Sequence, residues 1–100
     1  MQQAEFQMKA KVWLYPGPAA WHFISLPKKE AKIIRENFSA ISRGFGSLKV
    51  EVTIGQTSWK TSIFPDKKHD TYVLPLKKDI RTKENIKLDQ TVTFTIKILN

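Results

Sequence analysis

A chain of 100 residues with 41% apolar side chains makes one domain built around one core. It contains no cysteine, which excludes a disulfide framework, a thiolate nucleophile and a cysteine-based zinc site. Lysine and arginine outnumber aspartate and glutamate by 17 to 9, a net charge of +8, which raises the question of a polyanionic partner without selecting one. No apolar run approaches the length of a membrane-spanning helix. The start, Met1-Gln2-Gln3-Ala4-Glu5-Phe6, lacks the charged and apolar regions of a leader peptide. A cytoplasmic domain is expected.

Phe6, Met8, Ala10, Val12 and Leu14 alternate with Glu5, Gln7, Lys9, Lys11 and Trp13, the period of a half-buried strand. Trp13 falls on the polar phase of that strand. Pro16-Gly17-Pro18 ends it, and Trp21 to Leu26 reads as a second strand. Pro27 suits the first position of a helix, where its missing N–H is no loss, and Glu30 suits the first turn. Ala31, Ile34, Phe38 and Ile41 recur at helical spacing as an inner face, leaving Lys28, Lys32 and Arg35 to solvent. Gly44 and Gly46 mark the exit.

Leu48, Val50, Val52 and Ile54 alternate with polar residues as the next strand. Gly55-Gln56-Thr57 is a turn, and Ser58 to Phe64 continues as the partner strand. Pro65 to Asp70 is a polar loop. Tyr72 to Leu76 is a strand with Pro75 at its end or on an edge. Lys77 to Ile86 reads as a short helix. Val92, Phe94, Ile96 and Ile98 alternate with Thr91, Thr93, Thr95 and Lys97 as the last strand.

The order strand, strand, helix, strand thus occurs twice. Phe23-Ile24-Ser25-Leu26-Pro27-Lys28-Lys29-Glu30 is echoed by Tyr72-Val73-Leu74-Pro75-Leu76-Lys77-Lys78-Asp79. Two β-β-α-β halves, about 5–54 and 55–100, predict an all-β domain with two short helices. The expected architecture is a pseudo-symmetric six-stranded barrel, in which closure removes exposed sheet edges and the helices cap the ends.

Three segments carry a family resemblance. Trp21-His22-Phe23-Ile24-Ser25-Leu26-Pro27, Trp59-Lys60-Thr61-Ser62-Ile63-Phe64-Pro65 and Tyr72 to Arg81, in that order, resemble the bacterial family known as domain of unknown function 1905. The resemblance runs from about Phe6 to Leu99 and implies a double-split β-barrel. The Leu-Pro step, Ile80-Arg81, Ile86-Lys87 and the final strand are also similar to the half-barrel of AbrB-type transcription regulators, which bind DNA as paired chains. Two positions depart from the family pattern. Asp89-Gln90 stands where Gly-Asp is usual, and the normally glycine-containing loop before Tyr72 is Asp66-Lys67-Lys68-His69-Asp70. Aspartate tolerates the left-handed conformation better than most residues, so the Asp89 turn can survive.

His69 between Asp66 and Asp70 offers one imidazole where a metal site wants three or four converging ligands, so a solvated loop is the plainer reading. His22 with Ser25 or Ser62 lacks any local nucleophile signature. No catalytic residue, metal or cofactor is assigned. The candidate binding residues are Trp21, Trp59, Lys60, Lys77, Lys78 and Arg81, because aromatic faces can stack flat groups while cations hold phosphates. Against this, tryptophans also fill barrel ends, and the paired lysines at the two helix starts also fit shared ancestry of the halves. The expected function is a small, monomeric accessory module that binds a small ligand or a protein rather than catalysing a reaction. The alternative is an AbrB-like nucleic-acid binder.

Overall fold

The computed structural model describes residues 4–18, 20–42 and 44–99. The elements are β1 (Glu5–Leu14), β2 (His22–Ser25), α1 (Lys28–Phe38), β3 (Leu48–Ile54), β4 (Thr57–Asp66), β5 (Thr71–Pro75), α2 (Lys78–Lys83) and β6 (Thr91–Ile98). The strands close into a six-stranded antiparallel barrel in the order β1-β2-β5-β4-β3-β6. The two longest strands are each shared between two partners. Glu5 to Lys11 of β1 pairs with β6, and Val12 to Leu14 with β2. Likewise Thr57 to Ile63 of β4 pairs with β3, and Phe64 to Asp66 with β5.

The halves meet where β2 pairs with β5. Leu26 N–H donates to Tyr72 O and Leu76 N–H to His22 O, both at 2.9 Å, so the contact is reciprocal. This makes Leu26 the counterpart of Leu76 and Pro27 that of Lys77, one residue away from the alignment suggested by the two Lys-Lys steps. Burial enforces that shift, because Leu26 and Leu76 both reach the core. Pro27 therefore caps α1 from outside the helix rather than occupying its first turn.

Alternation decides the core. Met8 and Val12, Ile24 and Leu26, Leu48, Val50, Val52 and Ile54, Ile63, Leu74, and Val92, Phe94, Ile96 and Ile98 all point inward. Ala31 and Ile34 of α1 and Ile80 of α2 close over them. Phe38 is half-buried and meets Phe6 edge to face at 6.4 Å. Ile41, expected on the inner face, is 43% exposed, because the chain tightens into a 3₁₀ turn at Ser39–Ile41 and loses the α-helical spacing.

Both departures from the family's glycine pattern fall where the backbone is left-handed. Asp89 has φ of 67° and Asp70 has φ of 54°. An L-residue there costs about 1–2 kcal/mol, least for aspartate and asparagine.

The outer faces of the barrel differ in chemistry. Around β3 and β6 the outward residues are Lys49, Glu51 and Thr53, then Thr91, Thr93, Thr95 and Lys97. Around β2 and β5 they include Trp13, Phe23, Val73, Pro75 and Phe64, in adjacent register. The core is inside, so packing of the barrel does not account for this apolar exterior.

Candidate functional site

The loop after β1 folds back so that Tyr15 N–H donates to Trp21 O at 2.8 Å, which starts β2 beside the end of β1. Trp21 is 54% exposed and lies nearly parallel to Phe23, with ring centroids 6.0 Å apart. Phe23 also meets Trp13 at 5.3 Å and Tyr15 at 6.0 Å. Trp13 Nε1 donates to Ser25 Oγ at 2.9 Å, which lays the indole across β2. The polar-phase position of Trp13 is thereby explained: it belongs to an aromatic cluster on the outside of the barrel.

Next to this cluster, Trp21, His22, Pro75, Lys77, Lys78 and Arg81 line a cleft of about 150 Å³. Arg81 is fixed across it. Its Nε donates to Leu76 O at 3.2 Å, and its Nη1 faces His22 Nε2 at 3.4 Å. His22 Nδ1 lies 3.0 Å from Ala20 O, which can only accept, so Nδ1 carries the proton and Nε2 offers its lone pair to Arg81. Among the described residues, no carboxylate forms an ion pair with Lys77, Lys78 or Arg81. The nearby Asp79 carboxylate instead accepts from Ile80 N–H at 3.0 Å.

The corresponding cleft beside α1 is larger, about 250 Å³, but its charges are balanced. Arg35 pairs with Asp70 at 2.6 Å, and His69 Nδ1 with Asp66 at 2.8 Å. Partial burial opposes the Asp66 charge, but hydrogen bonds and the positive field from His69 prevail and hold its carboxyl below the usual 3.8. Burial pushes the Tyr72 phenol above its usual 10.0, against the pull of Arg35. Asp66 and Asp70 thus serve different partners rather than converging on His69. His22 and Ser25 are likewise separately engaged, the first with Arg81 and the second with Trp13.

The tertiary fold brings together Trp21, Lys77, Lys78 and Arg81 from the residues singled out in the sequence. It does not bring Trp59 or Lys60 to them. Both sit where β4 pairs with β3, opposite Val52 and Glu51 respectively. Trp59 points inward and packs on the core, with its Nε1 buried and unpartnered, while Lys60 is exposed. Sequence reasoning missed His22, Tyr15 and Phe23 as neighbours of Trp21. The one local signal was Trp13, an aromatic on the polar phase of a strand.

No curated protein matches the chain. The sequence matches the family described as "Domain of unknown function (DUF1905)" over residues 8–96, which spans the barrel from the first buried residue of β1 into β6. The chain belongs to that family.

Proposed function

We propose that this barrel is a binding module, not an enzyme, and that the cleft between Trp21 and Arg81 receives an anionic ligand carrying a flat apolar group. The observation that carries this reading is the meeting of a half-exposed indole with cations that have no carboxylate partner among the described residues. Such cations keep their attraction for an incoming anion, whereas Arg35 in the other cleft is already neutralised by Asp70. The indole supplies a surface on which a ring can stack, with Phe23 bracing its other side. Closure of the barrel gives every strand two neighbours in the ring, which limits the edges open to a second chain and supports action as a monomer.

The test is a titration with adenosine 5′-monophosphate, adenosine and inorganic phosphate at low salt, followed by backbone amide shifts and tryptophan fluorescence. The monophosphate is expected to perturb Trp21, His22 and Lys77, and to bind more tightly than either fragment. Replacing Lys77 and Lys78 together by alanine should weaken it roughly 2- to 30-fold, from about 0.2–1 kcal/mol per exposed charge. Millimolar monophosphate and pyrophosphate that leave these amides unmoved would refute the reading.

A further inference from the structure

We infer that the ligand of this surface is single-stranded nucleic acid, seated with bases on the Trp13–Tyr15–Trp21–Phe23 cluster and phosphates on the flanking cations. This rests on the cleft reading above and extends it from one anionic group to a strand. Three observations carry the inference together.

The first is the size of the aromatic surface. Its rings lie 5.3–6.5 Å from their neighbours at interplanar angles from 18° to 85°, which makes it a contiguous cluster that presents more than one ring face rather than a single stacking face. Tyr15 and Trp21 are more than half exposed, at 52% and 54%. Bases of any identity stack on such rings, because every base has a π-face.

The second is the placement of charge on two sides of the platform. Lys77 and Lys78 follow Pro75, which is in register with Phe23, and Phe23 is in register with Trp13. Because β5 runs parallel to β1, the chain leaves Pro75 toward the Tyr15 end of the cluster. Lys11 precedes Trp13 by two residues on the same exposed phase of β1, so it lies beyond the opposite end. With a rise of about 3.3 Å per residue and strands about 4.8 Å apart, the cations on the two sides are separated by roughly 16 Å. A single ring does not reach both sides, whereas a polyanion crossing the rings does.

The third is the sign of the surface. Lys11, Lys77, Lys78 and Arg81 have no ion-pair partner among the described residues. Trp13 Nε1 is committed to Ser25, and Asp79 to the backbone of α2. What faces outward is therefore flat apolar area edged by hydrogen-bond donors, complementary to bases joined by phosphates. A protein partner would more often meet such cations with its own carboxylates, and a second copy of this basic chain would repel.

The experiment is a length series. Deoxythymidine oligomers of two, four and eight residues, and riboadenylates of the same lengths, are titrated against the intact protein by fluorescence anisotropy at increasing salt. Affinity is expected to rise from dimer to octamer, with log–log salt slopes steepening by about −0.7 for each added phosphate contact. Replacing Lys77 and Lys78 by alanine should flatten the octamer slope by up to about 1.4. Tyr15→Ala should weaken the octamer by about 5- to 160-fold while leaving adenosine monophosphate in the cleft, and Trp21→Phe should retain most octamer binding where Trp21→Ala loses it. Thermal melts of each variant confirm that the barrel is intact. If the monophosphate binds but the octamer binds no more tightly, the strand inference fails and the cleft reading stands. If duplex DNA of equal charge binds as well as the single strand, the aromatic platform is not the reader and the inference is overturned. Sedimentation showing a dimer that protects Trp21 would overturn it also, by assigning the face to a second copy.

Discussion

Gly55 is the position where one methyl group should cost the barrel most for its size. It is the first of the two residues joining β3 to β4, and its φ of +57° is matched by no positive φ at Gln56. That is the pattern of a type II′ hairpin turn, which requires glycine at this place. A Cβ at Gly55 would collide with the Glu84 carboxylate, whose Cδ would stand 3.0 Å away. The same carboxylate accepts from Thr57 Oγ1 at 2.6 Å, tying the end of α2 to the start of β4. Gly55→Ala therefore carries two penalties. Backbone strain contributes about 1–3 kcal/mol. Swinging Glu84 aside forfeits a charge-assisted but partly exposed hydrogen bond, about 1 kcal/mol. The total is about 2–4 kcal/mol, to be read from urea unfolding of the barrel. Glu84→Ala separates the two. In that background the clash is gone, so Gly55→Ala should cost only the backbone part. The double mutant should then be about 1 kcal/mol more stable than the sum of the singles. Single effects that add to within about 0.3 kcal/mol would refute the coupling, and an alanine variant as stable as the parent would refute the turn assignment.

Two further outcomes follow from burial. Phe94→Ala should cost about 3–5 kcal/mol in the same assay, because the ring is 1% exposed and the closed barrel has little room to collapse around the void; a loss near zero would show that Phe94 is not core. Tyr72→Phe should remove an alkaline component of unfolding: the raised phenol pKa gives stability that is fully present below the unfolded value of 10.0 and lost as pH rises through the folded one. Parent and variant should therefore diverge only on the alkaline limb, and parallel curves there would contradict the assignment.

Strand positions were legible in the sequence because a strand with one wet face writes its period into the chain. The alternation of β1, β3 and β6 gave their limits and their inward residues except Leu14, which is 42% exposed at the end of β1 where the strand leaves β6 for β2. The helix face was legible through Ala31, Ile34 and Phe38 but failed at Ile41, where a local change of helix type broke the spacing. The registers between halves were less legible, because the Lys-Lys echo concerns exposed charges, and exposed charges do not decide which side chain is buried. Burial of Leu26 and Leu76 does, and it moves the match by one residue.

The candidate site shows the same division. Sequence could name aromatics and cations as residue types able to hold flat anions, but it could not say which of them meet. Trp59 and Trp21 look alike in the chain, each at or near the start of an expected strand. The phase of β4 turns Trp59 into the core, whereas the strap before β2 leaves Trp21 outside. Arg81 and Trp21 are far apart in sequence and become neighbours only because β5 pairs with β2 and delivers α2 to that end of the barrel. Local patterning is set by side chains a few residues apart, so one sequence suffices to read it. The cleft is set by barrel closure, a long-range pairing whose register depends on all the strands at once, and only the tertiary structure decides it.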